Sequence, residues 1–144
     1  MIDTMLGNFD RHNGNWGFLC DAASGSAEIA PVFDCGSCLL PQADDKVMRE
    51  VLTNEDEMNA RIFQFPTSIL KQNGQKINYY DFLIKAEYKE CSQALKRIYD
   101  RVDMGKICEF INDAPFISDL QKEFYSRYIT ARYDIMIHCQ KKLR

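Results

Sequence analysis

The sequence predicts a mainly α-helical domain, a helical bundle with a small β-hairpin near its N-terminus. Three observations lead there. Residues 1 to about 42 hold five of the seven glycines and two of the four prolines, the punctuation of short segments and turns. From about Ala43 onward, apolar residues recur at helical spacing. At 144 residues, the chain is long enough for one ordinary core and short for two.

The elements follow in order. Trp16-Gly17-Phe18-Leu19 and Ile29-Ala30-Pro31-Val32-Phe33 are short apolar runs on either side of a Ser24-Gly25-Ser26 turn, which reads as the hairpin. Pro31 pushes Ala30 toward extended backbone, which suits a strand. Trp16 and Phe18 are expected in the hairpin core, since no basic stripe accompanies them as a nucleic-acid stacking platform would require. Asn78 reads as the N-cap of an amphipathic helix carrying Phe82, Leu83, Ala86, Leu95 and Ile98. Ahead of it, Lys71-Gln72-Asn73-Gly74-Gln75 is a turn. A shorter helix is expected from about Met104 to Ile111, ending before Pro115. Ser118-Asp119-Leu120-Gln121 is a capping box. It opens a helix in which Leu120, Phe124, Tyr128, Ala131, Ile135 and Cys139 share a core-facing stripe, with Lys141, Lys142 and Arg144 at the end that the helix dipole makes favourable for cations. An isolated two-stranded hairpin is marginal in water, so the helices must carry the core.

Eighteen Lys and Arg against twenty-one Asp and Glu give a net charge of −3, which leaves no electrostatic footprint for general nucleic-acid binding. No apolar run approaches the roughly 18 residues of a membrane span. Asp3 stands where a signal peptide needs basic residues. The expectation is a cytoplasmic protein with no membrane and no nucleic-acid partner. Six cysteines at irregular spacing (20, 35, 38, 91, 108 and 139) read as reduced thiols. Cys35 and Cys38 form the single close pair. Adjacent His138 and Cys139 are poorly placed to complete a zinc site, because neighbouring helical residues point about 100° apart.

The chemistry sits in Leu6-Gly7-Asn8-Phe9-Asp10-Arg11-His12-Asn13-Gly14-Asn15 and in Phe33-Asp34-Cys35-Gly36. Phosphoryl transfer needs a carboxylate to orient and deprotonate the attacking hydroxyl, and oxygen ligands to hold Mg²⁺ against nucleotide phosphates. Asp10 suits the first task. Asn15 lies five residues on, the separation of the Asp and Asn in a kinase catalytic loop, and Asp34 follows the second apolar run where a kinase carries its Mg²⁺-chelating carboxylate. The alternative for Asp10 is an Asx-turn or helix cap. Asp44, Asp45, Glu55, Asp56 and Glu57 read as a solvated face.

Gly7-Asn8-Phe9-Asp10-Arg11-His12 with Asn15, then Ala30-Pro31-Val32-Phe33-Asp34-Cys35-Gly36, resembles the C-terminal lobe of HipA-like serine/threonine protein kinases, and within them the CtkA-type branch. The aromatic run from Phe124 to Tyr133 also resembles that branch, so the likeness covers nearly the whole chain. It implies a protein-kinase-like C lobe over residues 1–144. Asp10 would be the catalytic base, and Asn15 and Asp34 the Mg²⁺ and nucleotide ligands. Asn8, Arg11 and His12 would support the loop, and ATP with Mg²⁺ would be the cofactors. Such a kinase also needs an N-terminal lobe with a nucleotide-covering loop and a phosphate-binding lysine. None is recognisable in these residues, and Cys35 stands where kinases often carry an apolar residue. The expectation is therefore a lobe inactive alone, whose partners are a protein substrate or a separate N lobe. The other expectation is a non-catalytic module that self-associates through an exposed apolar patch. Asp10-Arg11-His12-Asn13-Gly14-Asn15 also resembles a phosphoinositide-kinase loop. Against that stands the excess of acidic over basic residues from Cys35 to Pro66, six to three, which would repel a polyphosphate headgroup.

Overall fold

The last helix organises everything else. In the computed structural model, which describes residues 1–65 and 67–142, Asp119–Lys142 forms a single 24-residue helix, α7. Its capping box closes as expected: the Ser118 N–H donates to Gln121 Oε1 at 2.8 Å, and the Gln121 N–H donates to Ser118 Oγ at 3.2 Å. Six shorter helices are described with it: α1 (Ile2–Leu6), α2 (Asp45–Thr53), α3 (Glu55–Asn59), α4 (Tyr79–Lys85), α5 (Lys89–Tyr99) and α6 (Met104–Asp113). All but α3 pack directly on α7.

Two apolar clusters result. Phe124 and Tyr128, stacked at 5.5 Å between centroids, meet Met48, Val51 and Leu52 of α2. Further along α7, Ile129, Ile135, Met136 and Cys139 meet Met5 of α1, Leu83 of α4 and Leu95 of α5. Each fully buried large side chain contributes about 1.5–3 kcal/mol, and both clusters are built on this helix. The stripe from Phe124 to Cys139 is core, as its spacing predicts. Lys141 and Lys142 fall in the last turn. Arg144, expected with them, lies outside the described residues.

Other elements differ from the sequence reading. The helix expected from Asn78 onward does start there, with Asn78 Oδ1 accepting the Asp81 N–H at 3.0 Å. It stops at Ala86, whose φ of 49° is left-handed, and α5 begins as a separate helix. The Asn73-Gly74 turn, with φ of 53° and 79°, joins an unforeseen hairpin of β3 (Thr67–Gln72) and β4 (Gln75–Asn78). Helix α1 was not foreseen either, although Ile2, Met5 and Leu6 followed by Gly7 carry the pattern of a short helix with its stop.

The first hairpin forms from β1 (Phe18–Cys20) and β2 (Ala27–Ile29), with Phe18 opposite Ile29 and Cys20 opposite Ala27. It corrects one expectation. Trp16 and Phe18 pack edge-to-face on each other at 5.9 Å, but they are not core: Phe18 is 60 % exposed and Trp16 is exposed with it. Among the described residues no helix packs substantially on this two-stranded ribbon, so its apolar side chains stay largely uncovered. Among the described residues no helix is long and apolar enough to cross a membrane.

Candidate active site

The loop between α1 and β1 is shaped by polar side chains. Gly7 ends α1 in the left-handed region at φ 64°, and a Cβ there would lie 3.1 Å from Arg132 Nε, so the position needs glycine twice over. Asn8 follows, fully buried. Its Nδ2 donates to Asp3 Oδ1 and its Oδ1 accepts the Asp10 N–H, both at 3.0 Å, while its carbonyl accepts the Tyr79 hydroxyl. The Asp10 N–H is thus fixed by an Asn8 that Asp3 and Tyr79 hold in turn. His12 caps a short 3-10 turn over Asn13–Asn15, its Nδ1 accepting the Gly14 N–H at 3.0 Å.

Arg11 holds the pieces together. Only 8 % exposed, it donates from Nε and Nη2 to the Asp3 carboxylate at 2.9–3.0 Å. Its Nη1 donates to the Asn15 carbonyl at 2.5 Å and to the Phe33 carbonyl at 2.8 Å. One guanidinium therefore ties α1, the 3-10 turn and the residue before Asp34. The hydrogen bond to Asp3 raises the Arg11 pKa further above its already high ordinary value. Two backbone bonds clasp the same strands of chain, from the Phe9 N–H to the Ser37 carbonyl at 3.4 Å and from the Leu39 N–H to the Leu6 carbonyl at 2.8 Å.

Within this frame the three candidate residues differ. Asn15 is buried, and its Nδ2 donates to the Asp10 carbonyl at 3.3 Å, which leaves Oδ1 without a protein donor among the described residues. Asp34 is exposed, with φ 55° in a region that bulky residues avoid and functional turns favour. Among the described residues no protein donor engages the Asp10 or Asp34 carboxylate. What the arrangement offers is two free carboxylates and one amide oxygen, all hard oxygen donors. Among the described residues no group of three or more His, Cys, Asp or Glu side chains could hold a metal by itself. This donor set fits Mg²⁺ shared with phosphates, which the protein characteristically holds through one or two carboxylates, better than a self-sufficient metal cage.

Three residues of this frame were invisible in the sequence. Asp3 is the main partner of Arg11. Tyr79, whose hydroxyl is pushed up to about 12 by burial, props the loop from α4. Arg132, 1 % exposed, donates from Nε and Nη2 to the Thr4 carbonyl at 2.8 and 2.6 Å and from Nη1 to the Arg61 carbonyl at 3.2 Å. It lies 5.8 Å over the Tyr128 ring, and burial lowers its pKa. With carbonyls and a ring face as its partners, it caps the negative end of α1. Beside the site, the Cys38 thiol is pushed up to about 12 by burial and by its neighbour Cys35.

The fold is that of a kinase-related fragment. The chain superposes on the crystal structure of the Helicobacter pylori proinflammatory kinase CtkA with a TM-score of 0.89 and 54 % identity, covering 98 % of this chain and 53 % of that one. In sequence it is 59 % identical over 133 residues to the serine/threonine-protein kinase CtkA of Helicobacter pylori strain J99, 92 % of this chain and 41 % of the relative. The resemblance to the CtkA-type branch is therefore borne out along nearly the whole chain, which spans about half the length of the relatives it matches or less. No protein-family model matches it.

Proposed function

We propose that this chain is the C-terminal, base- and metal-bearing lobe of a HipA-like, CtkA-type protein kinase, one that transfers the γ-phosphoryl group of ATP to a serine or threonine hydroxyl. The observation that carries the reading is the Arg11 latch, which binds the Asn15 and Phe33 carbonyls through one nitrogen and so holds Asn15 beside the turn that bears Asp34. In this reading Asp10 orients the incoming hydroxyl and accepts its proton. Asn15 Oδ1 and the Asp34 carboxylate hold Mg²⁺, which when bound with ATP would neutralise phosphate charge. Asn8, Arg11 and His12 set the loop and touch no reactant.

The lobe transfers no phosphoryl group unaided. The nucleotide-covering loop and phosphate-binding lysine of a kinase belong to a second lobe from outside these 144 residues, on the same polypeptide or another. The exposed apolar side chains of the first hairpin, Ile29 at 72 % foremost, favour packing of such a lobe, or of a second copy, against β1 and β2.

Calorimetric titration with Mg·ATP tests the site. Saturable, Mg²⁺-dependent binding is expected, and its loss in a folded Asp34→Asn variant. A folded chain that binds no Mg·ATP would overturn the assembled half-site. Asp10-dependent phosphorylation of a protein substrate by the pure chain would overturn its dependence on a second lobe.

A further inference from the structure

Beside the catalytic-loop candidate lies a cavity of about 360 Å³ that the phosphoryl-transfer machinery does not use. Phe9, the neighbour of Asp10, forms one wall, Leu40 and Phe65 form others, and the buried Tyr128 is among its lining. Leu40 reaches it from a left-handed backbone, φ 56°, directly after Leu39 at φ 54°. Two successive leucines in that region are costly for an L-residue, and such strain persists where a segment has a task.

The cavity lining joins apolar side chains to two basic ones. Arg61 and Lys76 both line it. The Arg61 Nε is buried with no hydrogen-bond partner, and its guanidinium reaches a carboxylate, that of Glu57, only at 3.7 Å. A buried donor without an acceptor is costly, so it marks a place where an acceptor is missing. Lys76 stands directly opposite Lys71 across the β3–β4 ladder, a like-charge pairing that destabilises a hairpin. Neither lysine has a carboxylate within ion-pair distance among the described residues. Of the two cations that line the cavity, Arg61 has Glu57 beside it and Lys76 has no carboxylate partner among the described residues, which leaves Lys76 and the Arg61 Nε open to an anion.

We propose that this pocket recognises the protein substrate, taking an apolar side chain into the cavity while Arg61 and Lys76 bind a carboxylate on an adjacent residue. The inference rests on the kinase reading and names its substrate class: a hydroxyl-bearing segment with a leucine-sized residue followed by an acidic one. The apolar walls supply affinity, the two cations supply register, and Phe9 joins the pocket to the loop that carries Asp10.

The test uses the full chain and a fluorescein-labelled peptide, Gly-Ser-Gly-Leu-Glu-Glu-Gly, followed by anisotropy. Replacing the peptide leucine by glycine, or its glutamates by lysines, should weaken binding at least about tenfold. Lys76→Glu, at an exposed position where folding is not at risk, should weaken it about fivefold or more, with Arg61→Gln in the same direction. Equal affinity for the leucine and glycine peptides, no binding at all, or indifference to Lys76→Glu would overturn the pocket. The Mg·ATP titration reads Asp34 and is blind to these changes. Loss of that titration alone would overturn the phosphoryl-transfer reading, whereas loss of peptide selectivity alone would overturn the pocket.

Discussion

The first forty residues and the helical body are held together by different forces. Around α7 the body is conventional: Phe124, Leu95 and Met136 are fully buried, and the elements stay in place because water is excluded from their contacts. The site region buries mainly polar side chains, Asn8, Arg11 and Asn15 among them, and little apolar surface. Every residue of β1 and β2 is exposed, and the loop carrying Asp10 keeps its shape through directional bonds from Asn8, Arg11 and His12. Apolar burial is tolerant of detail, while a hydrogen-bonded loop is specified atom by atom. The loop with the unengaged Asp10 and Asp34 carboxylates is of the second kind, anchored on the first at Asp3, Tyr79 and Arg132.

The contrast breaks most visibly in the body. Phe124→Ala should lower the unfolding free energy by about 3–5 kcal/mol, because a fully buried aromatic leaves a cavity shared by α2 and α7. Chemical denaturation would show the whole chain losing stability together, site included. Arg11→Met should cost less, about 1–3 kcal/mol, since Asp3 and two carbonyls lose a donor while the Asp3 carboxylate, partly exposed, stays in reach of water. Hydrogen exchange should rise around residues 10–17 and 33–36 and leave α7 protected. Acceleration spread evenly over α7 would show that the two regions are one cooperative unit.

The smallest effect concerns Tyr79, which joins the regions. Its pKa is about 12 in the folded chain against an ordinary 10.0, and Cys139 is raised by burial from 9.0 to about 11. For both, folding favours the protonated form. That contribution is complete below the ordinary pKa and is lost as pH climbs toward the raised one. The melting temperature should hold up to about pH 9 and fall between 9 and 12. Tyr79→Phe should flatten the part of that decline above pH 10. An unchanged alkaline profile in Tyr79→Phe would assign the decline to the thiols.

How much of this was legible beforehand depends on the range of the interaction. The capping box at Ser118 and the stripe from Phe124 to Cys139 are encoded within a few residues and were read correctly. The Asn73-Gly74 turn was read, but its strands were not, because the short runs beside it have no clean alternation. The break at Ala86 had no signal, since alanine rarely adopts a left-handed backbone. Trp16 and Phe18 look like core residues in sequence, and only the absence of a covering helix exposes them.

The sequence by itself determined the helical class, the long terminal helix and the first hairpin, and it singled out Asp10, Asn15 and Asp34 as candidate site residues. Those follow from periodicity, capping and residue type, all local properties. The tertiary structure alone decided that Asp3 partners Arg11, that Arg132 reaches back 128 residues to the Thr4 carbonyl, and that Arg61 and Lys76 line one cavity. Such pairings join residues whose separation along the chain says nothing about their distance, and they exist only once α7 has gathered the other helices around itself.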